Sequence, residues 1–235
     1  MDNESKVVAY LPCRKGSQRV INKNTREFAG INGGLTRIKI KQLINCENID
    51  EIVVSTDDPL VMQVCEEELK ASDKSYRIVE RPSSLALSTT STDELINYVP
   101  QVIDNGHVLW THVTSPFIDE KIYDDAITRY REALKTKYDS LVSVTKHQKF
   151  FWNEEGKSIN YDRNIEKWPR TQTLPAIYEL NSGIFIAEIE IYQRFHDRIG
   201  KKPLMFDLPE QYAKDIDWEE DFMIAEQLWI NNKKK

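Results

Sequence analysis

Short apolar runs alternate along the chain with segments whose apolar residues recur at helical spacing. The runs lack strict apolar–polar alternation, which is typical of strands covered on both faces. They predict strands at 6–11, 51–55, 76–80, 107–113 and 140–146. The helical spacing predicts helices at 35–44, 60–70, 91–103 and 119–135. This order favours an α/β fold with parallel strands and right-handed crossovers.

The second half of the chain interrupts this order once. Between about 148 and 175 the periodicity weakens, and aromatic and turn residues take its place. Regular patterns then return, with strands predicted at 182–187 and 204–207 and helices at 189–198 and 217–229. The sequence has no internal repeat and no low-complexity linker. We therefore expect a single domain over 1–235, in which 148–175 is an insertion or a partner-contacting arm.

Composition narrows the classes of function. Hydrophobic residues make up 40% and charged residues 30% of the chain, as in globular proteins. No apolar run is long enough to span a membrane, and the first residues lack the features of a secretory signal, so we expect a cytoplasmic protein. A formal net charge of -6 argues against general nucleic-acid binding but leaves room for a local anion pocket. The three cysteines are widely spaced and are expected to be free thiols.

Candidate chemistry is found where the predicted strands end. In an open α/β sheet, ligands bind beyond the carboxyl ends of the strands. This rule selects the loop 14–24, the segment 56–58, the pair Thr114 and Ser115, and the pair Asp215 and Asp217. Thr56, Asp57 and Asp58 suit nucleotide or sugar hydroxyls, but they are equally typical of a helix cap. His112 lies close to the same edge; a lone histidine is more often a packed residue than a base.

The loop after the first strand concentrates positive charge. It carries four cations around Gly16 and Ser17, namely Arg14, Lys15, Arg19 and Lys23. Backbone amides, a hydroxyl and several cations could converge there on one polyphosphate. The loop lacks the Walker A spacing and has a single glycine, which excludes a P-loop and a dinucleotide fingerprint. An ordinary solvated basic loop is the alternative interpretation.

Asp215-Ile216-Asp217 sets two carboxylates on one side of an extended segment. Such a pair repels itself, and a divalent cation relieves the repulsion; Mg²⁺ binds through one or two carboxylates together with substrate phosphates. The competing interpretation is an acid-rich helix N-terminus, which the helix dipole stabilises without any metal. Spacing alone leaves both interpretations open.

Taken in order, these segments resemble the CMP-sialic acid synthetases, also called acylneuraminate cytidylyltransferases. CRKGSQRVINKN resembles the family's A-R-x-G-S-K-G-x-x-x-K-N motif, and EIVVSTDD is similar to its second-strand motif. RPSSLALSTTSTDELI resembles R-P-x-x-L-A-x-x-x-x-S-T, and THVTSPF stands where Q-P-T-S-P-L is usual. RTQTLPAIYELNSGIFI resembles R-x-Q-x-x-P-x-x-Y-x-x-N-G, and KDIDWEEDFMIAE resembles D-I-D-x-x-E-D-x-x-x-A-E. The resemblance spans essentially the whole chain.

The resemblance implies a Rossmann-like nucleotidyltransferase fold with a mixed, mostly parallel sheet and helices on both faces. It implies CTP as co-substrate, Mg²⁺ as cofactor, an acidic nine-carbon sugar as second substrate, and a homodimer whose partner contributes an arm to the site. Arg14, Lys23 and Asp217 are the implied catalytic residues, and Asp215 and Asp217 the implied metal ligands. The implied nucleotide-binding residues are Arg14, Gly16, Ser17, Arg19, Lys23, Asn24, Arg81 and Ser91. The implied substrate-binding residues are His112, Thr114, Ser115, Arg170, Gln172, Tyr178 and Asn181.

The sequence departs from the family pattern at three positions. Gln18 replaces the lysine of G-S-K, and the neighbouring Arg19 offers a substitute cation. His112 stands where the family often has glutamine, and Glu179 where it commonly has arginine. A glutamate there would repel a carboxylate-bearing sugar. This departure predicts an altered acceptor pocket, suited to a related nonulosonic acid or another 3-deoxy acid sugar.

The activity implied is transfer of CMP from CTP to the anomeric hydroxyl of a sialic-acid-like sugar, with release of pyrophosphate. Three alternatives stay open at this point. The first is cytidylyl transfer to 3-deoxy-manno-octulosonate, which shares fold and chemistry. The second is a metal-dependent glycosyltransferase, because paired aspartates bind nucleotide-sugar phosphates there too. The third is a nucleotide-binding module that has lost its chemistry, an interpretation that Gln18 and Glu179 favour.

Overall fold

A seven-stranded sheet organises residues 5–232, the part of the chain that the computed structural model describes. The strands are β1 Val7–Cys13, β2 Glu51–Thr56, β3 Ser75–Glu80, β4 His107–Trp110, β5 Ser140–His147, β6 Ile177–Glu188 and β7 Pro203–Asp207. The helices are α1 Gly34–Asn45, α2 Pro59–Leu69, α3 Thr92–Val102, α4 Glu120–Leu134, α5 Ile189–Phe195 and α6 Glu219–Asn232. No helix within 5–232 is both long and apolar enough to cross a membrane.

The strands are ordered β3-β2-β1-β4-β6-β5-β7 across the sheet. All neighbours pair in parallel except β6, which runs antiparallel to both β4 and β5. The predicted mixed, mostly parallel sheet is thereby confirmed. The carboxyl ends of the parallel strands meet at one edge, and the reversal of β6 brings its first residues to that same edge. We call this the carboxyl edge.

Helices cover both faces of the sheet, which explains why the strands lack polar alternation. Side chains of β1 alternate between two cores: Leu11 packs with residues of α1, α2, α4 and α6, and Tyr10 packs with residues of α3 and α5. Two of the predicted helix starts have the expected caps. Asp58 accepts from the Leu60 amide at the start of α2, and Ser91 forms a capping box with Glu94 at the start of α3.

Some element boundaries differ from the sequence prediction. β4 ends at Trp110 instead of 113, and the chain then turns across the carboxyl edge. β6 begins at Ile177, earlier than predicted, because 177–180 pair with the end of β5. α5 ends at Phe195, where His196 takes the left-handed conformation that commonly terminates helices. α6 begins only at Glu219, so Asp217 lies ahead of the helix instead of inside it.

A buried lysine fixes the turn after β4. Lys39 on α1 has no exposed surface, and its ammonium donates to the carbonyls of Ser115 and Ile118 at 2.9 Å each and to the Tyr123 hydroxyl at 2.7 Å. Burial lowers the pKa of Lys39 well below its ordinary value. Its three hydrogen bonds satisfy the ammonium and anchor the turn that carries Thr114.

The start of α1 approaches the loop after β1 too closely for any side chain. Gly34 has a φ of 49°, and a Cβ there would collide with the backbone carbonyl of Arg26. Gly30 has a φ of 76°, but a Cβ there would meet nothing within 4 Å. The two glycines therefore separate the effect of backbone strain from the effect of close packing.

We expect Gly34→Ala to lower the free energy of unfolding by about 2–5 kcal/mol, because left-handed strain and a backbone collision act together. Gly30→Ala is the matched control and should cost about 1–2 kcal/mol, from strain alone. Urea denaturation of both variants measures the difference. Equal losses would show that the contact with Arg26 adds nothing to the cost.

Candidate functional site

The loop after β1 and the turn after β4 enclose a pocket of about 290 Å³ at the carboxyl edge. We call it the basic pocket because three cations line it, Arg14, Arg19 and Lys23. Its remaining lining residues are Pro12, Cys13, Ser17, Gln18, Asn24, Ser88, His112, Val113 and Thr114. The structure thus brings the predicted basic loop together with the predicted residues that follow β4.

Hydrogen bonds to the backbone hold the basic loop in shape. The Asn24 side-chain amide donates to the Arg14 carbonyl at 3.1 Å, and the Asn24 backbone carbonyl accepts from the Thr36 amide and hydroxyl at 2.9 Å. Asp57 accepts from the Lys15 amide at 2.8 Å. Asn24 and Asp57 therefore position the loop, while Asp58 serves α2 as its cap.

Asp215 and Asp217 reach the carboxyl edge through the residue between them. The Ile216 amide donates to the Thr114 carbonyl at 3.0 Å, and the Ile216 carbonyl accepts from the Lys23 ammonium at 2.6 Å. The Ile216 side chain is fully buried. Because side chains alternate along an extended segment, anchoring Ile216 turns both aspartates away from the core.

Opposite charges meet at this segment. The Asp217 carboxylate lies 3.7 Å from the Lys23 ammonium and 3.5 Å from the Arg19 guanidinium. Burial lowers the pKa of Lys23, and the carboxylates of Asp217 and Asp215 act in the opposite direction. Because the side chain of Asp217 is about half exposed, these two ion pairs contribute little to stability. Their significance is that they align two cations beside a carboxylate pair.

Asp215 is exposed to solvent, but neighbouring protein atoms partly desolvate its carboxyl group. This partial desolvation raises the pKa of Asp215, and the neighbouring charge of Asp217 raises it further. A hydrogen bond from Thr114 and the charge of Lys23 lower it. The ionised form of Asp215 is therefore disfavoured in the free protein, and a bound cation would stabilise it.

A second pocket, of about 440 Å³, adjoins the same two aspartates. We call it the acidic pocket, since five of its lining residues carry carboxyl groups, namely Glu179, Glu210, Asp215, Asp217 and Asp221. His147, at the end of β5, contacts Glu179 across the strand pair at 2.7 Å. Lys214 also lines the acidic pocket. The segment 215–217 therefore lies between a cationic pocket and an anionic one.

Asn181 shapes one wall of the acidic pocket through a bulge in β6. Its side-chain oxygen accepts from the Ser143 hydroxyl at 2.5 Å and from the Gly183 amide at 3.2 Å. Its side-chain nitrogen donates to the Thr145 hydroxyl at 3.1 Å. The register of β5 with β6 shifts at this place, and Ser182 takes a φ of 57°. Bulges of this kind redirect side chains beside functional sites.

Several residues that the resemblance implied lie outside both pockets. Arg81 is buried and donates to the Ser55 carbonyl at 2.9 Å, Ser91 caps α3, and the Ser115 carbonyl accepts from Lys39. The remaining ones are exposed: Gly16 in the basic loop, Arg170 before a short 3-10 turn and Gln172 within it, and Tyr178 on β6. A ligand role for these residues stays a prediction.

Sequence reasoning missed other residues of the two pockets. His147 ends β5, so the same strand-end rule could have found it. Asp221 accepts from the amides of Asp217 and Trp218 at 3.1 and 2.8 Å, as a carboxylate at a helix start commonly does. Ser88 lies within the R-P-x-x-L-A-x-x-x-x-S-T segment, but Glu210 and Lys214 carry no recognisable signal.

Replacing Asp215 with asparagine is expected to raise the free energy of unfolding at neutral pH. The pKa of Asp215 is higher in the folded protein than in the unfolded chain. The wild-type protein therefore loses stability as the pH rises through these two values. The gain from Asp215→Asn should therefore be present at pH about 7 and shrink towards pH about 4, where the carboxyl becomes protonated. Urea denaturation at both pH values measures it. Asp73→Asn, at the opposite edge of the sheet, is the control; a variant less stable than wild type at pH about 7 would contradict the prediction.

Comparison with known sequences places the chain among cytidylyltransferases. It is 26% identical over 220 residues to the N-acylneuraminate cytidylyltransferase of Streptococcus agalactiae, covering 93% of this chain and 52% of that protein. It is 26% identical to the corresponding Escherichia coli protein, covering 98% of this chain and 53% of that protein. The chain thus spans about half the length of these relatives. It is 25% identical to the pseudaminic acid cytidylyltransferase of Campylobacter jejuni, covering 97% of both.

Solved structures support the fold. A CMP:2-keto-3-deoxy-manno-octonic acid synthetase complexed with CTP superposes with a TM-score of 0.66 at 15% identity, covering 97% of this chain and all of that one. The 4-diphosphocytidyl-2C-methyl-D-erythritol synthase of Anaerococcus prevotii gives a TM-score of 0.67 at 14% identity, covering 97% of both chains. The family model described as "Cytidylyltransferase" matches residues 8–232. The chain belongs to the cytidylyltransferase family.

Proposed function

We propose that this protein transfers CMP from CTP to the anomeric hydroxyl of a sialic-acid-like nonulosonic acid and releases pyrophosphate. The observation that carries the proposal is that Asp215 and Asp217 line the acidic pocket while Asp217 pairs with Lys23 and Arg19 of the basic pocket. One pocket suits a polyphosphate and the other a polyhydroxylated acceptor. The names of the relatives, N-acylneuraminate and pseudaminic acid cytidylyltransferases, support the same acceptor class.

In this proposal the basic pocket holds the triphosphate of CTP. Arg14, Arg19 and Lys23 approach its oxygens, and the Ser17 hydroxyl and Asn24 lie beside them. Cations held in place by their neighbours stabilise the charge that develops as the bond between the α- and β-phosphates breaks. Lys23 is the best placed of them, because Ile216 and Asp217 fix its ammonium. The chain's own contribution is thus positioning and charge neutralisation.

Asp215 and Asp217 are the residues that would hold Mg²⁺. No group of three or more His, Cys, Asp or Glu suited to a metal occurs within residues 5–232. A carboxylate pair nevertheless fits Mg²⁺, which commonly takes one or two carboxylates and completes its shell with water and substrate phosphates. The raised pKa of Asp215 supports this fit. When bound there, Mg²⁺ would neutralise phosphate charge and favour ionisation of a coordinated hydroxyl.

The sugar is proposed to occupy the acidic pocket, with its anomeric hydroxyl directed at Asp215 and Asp217. Thr114 and His112 lie on the basic side of this junction, and Asn181 supports the opposite wall. Glu179 accounts for a departure from the sialic acid enzymes, since its carboxylate occupies a wall where the family commonly has arginine. The altered charge of this wall supports an acceptor pocket that differs from theirs and suits a related nonulosonic acid or another 3-deoxy acid sugar.

A homodimer built through the segment between β5 and β6 completes the proposal. Trp152 and Trp168 are 43% and 69% exposed there, and Ile165 is 86% exposed. Arg163 lies over both tryptophan rings, at 4.9 and 5.6 Å from the centroids. Large apolar side chains presented on a loop are typical of an arm that docks on another chain. Arg170 and Gln172 would then act beside the partner's site instead of their own.

Pyrophosphate release from CTP tests the reaction. N-acetylneuraminic, legionaminic, pseudaminic and 3-deoxy-manno-octulosonic acids should be offered separately with Mg²⁺. We expect release with at least one of the nine-carbon acids. Release with the eight-carbon acid alone would favour the octulosonate alternative, and transfer only from a nucleotide-sugar would favour a glycosyltransferase. CTP binding without turnover of any acid would favour a silent nucleotide-binding module.

Arg14→Ala is expected to lower kcat/KM at least tenfold, because it removes a charged partner of the triphosphate.

Asp217→Ala should abolish Mg²⁺-dependent turnover, while circular dichroism shows a folded protein. Arg129→Ala and Asp125→Ala are matched controls, since these two exposed residues pair with each other on α4. Wild-type rates in Arg14→Ala or Asp217→Ala would remove that residue from the mechanism.

A further inference from the structure

A hydrogen bond joins Trp110 to His112 at the end of β4. The Trp110 indole nitrogen, Nε1, lies 3.0 Å from Nε2 of the His112 ring. An indole N–H can only donate, so Nε2 must be the unprotonated acceptor. The proton of the neutral imidazole therefore lies on Nδ1. His112 lines the basic pocket, and Nδ1–H is the polar group of the ring left for a ligand.

The Trp110 ring is itself held on several sides. It is fully buried, and Tyr10 packs edge-on against it at 5.0 Å between ring centroids. The Arg198 guanidinium lies 5.0 Å from the Trp110 centroid and 3.6 Å from that of Phe185. A guanidinium stacked between two aromatic rings stabilises both by cation–π attraction. The direction of the Trp110 N–H is thus set by packing that does not involve the pocket.

The charges around His112 favour the neutral ring. Burial lowers the pKa of His112 to about 3. Four cations act in the same direction, one from each of four parts of the fold: Arg198 after α5, Lys23 in the basic loop, Lys39 on α1 and Arg81 after β3. A protonated His112 would also lose the acceptor that the indole N–H requires.

We propose that Trp110 is a positioning residue that fixes His112 as a neutral Nδ1–H donor to an oxygen of the substrate in the basic pocket. This inference rests on the proposed function only in taking that pocket as the substrate site. Arg14, Arg19 and Lys23 already supply the positive charge of this pocket. A neutral donor adds a hydrogen bond of fixed direction. It would therefore discriminate between oxygen positions without tightening the hold on the leaving pyrophosphate.

Nitrogen-15 NMR of the histidine rings tests the tautomer without requiring turnover. The signals of His112 are assigned because they are missing from the spectrum of His112→Gln. We expect His112 to carry its proton on Nδ1 from pH about 5 to about 8. In Trp110→Phe the indole donor is gone, and the ring should change to the Nε2–H form that imidazole prefers in water. Tyr10→Phe is the matched control, because it changes a buried residue that packs on the Trp110 ring and leaves the bond intact. A proton on Nε2 in the wild-type protein would overturn the proposal.

Binding and kinetics test the donor. Trp110→Phe should either weaken CTP binding, measured by calorimetry, or raise the KM for the acid sugar. The change should be about tenfold, which corresponds to the free energy of one hydrogen bond. His112→Leu should show the same loss, and His112→Gln should keep most of the affinity through its side-chain N–H. These two variants decide the matter if Trp110→Phe does not fold. Unchanged CTP affinity and sugar KM in His112→Leu would overturn the donor role. Absence of turnover in the wild-type protein, with the Nδ1–H tautomer and CTP affinity as expected, would instead contradict the proposed function alone.

Discussion

The backbone of Ile216 is the contact on which the site depends. Its amide donates to the carbonyl of Thr114 after β4, and its carbonyl accepts from the ammonium of Lys23 after β1. These two bonds join parts of the chain that lie far apart in the sequence; Lys23 and Ile216 are separated by 193 positions. Together with the ion pairs of Arg19 and Lys23 with Asp217, they hold the basic loop and the aspartates in a fixed relation. The two pockets therefore lie side by side.

The resulting arrangement is electrostatically unfavourable for the protein by itself. Lys23 is partly desolvated, and Asp215 is desolvated beside a second carboxylate. Charged groups that are destabilised in the free protein and face a cavity are typical of binding sites. A bound ligand can replace the favourable interactions with water that these groups lose on folding. The buried Lys39, by contrast, is fully satisfied by two carbonyls and a hydroxyl, and it stabilises the turn instead of facing a pocket.

The sheet and the basic loop could be predicted from the sequence, because a strand buried on both faces leaves a continuous apolar run and its end marks the ligand edge. The same rule found Asp215 and Asp217 and, through Thr114, the turn after β4. The direction of β6 and its bulge at Asn181 could not be predicted, because they arise from pairing with β5 and not from local preference. The capping box of Ser91 with Glu94 could be predicted from its spacing. The role of Arg81, whose side chain donates to the Ser55 carbonyl in the structure, could not. Hydrogen-bond partners of this kind are decided by tertiary packing, which residue type alone does not encode.

The position of 215–217 in the chain also bears on when the site can form. β1 is central in the sheet and is synthesised first, whereas the aspartates follow β7, the edge strand, and precede the last helix. The basic loop must therefore exist while β2 to β7 are synthesised, with Lys23 lacking its carbonyl partner. Contacts of such long sequence separation form late and open early, because the loop that they close is nearly the whole chain. Loosening of the C-terminal segment would dismantle the acidic pocket and release Lys23 while most of the sheet remained intact.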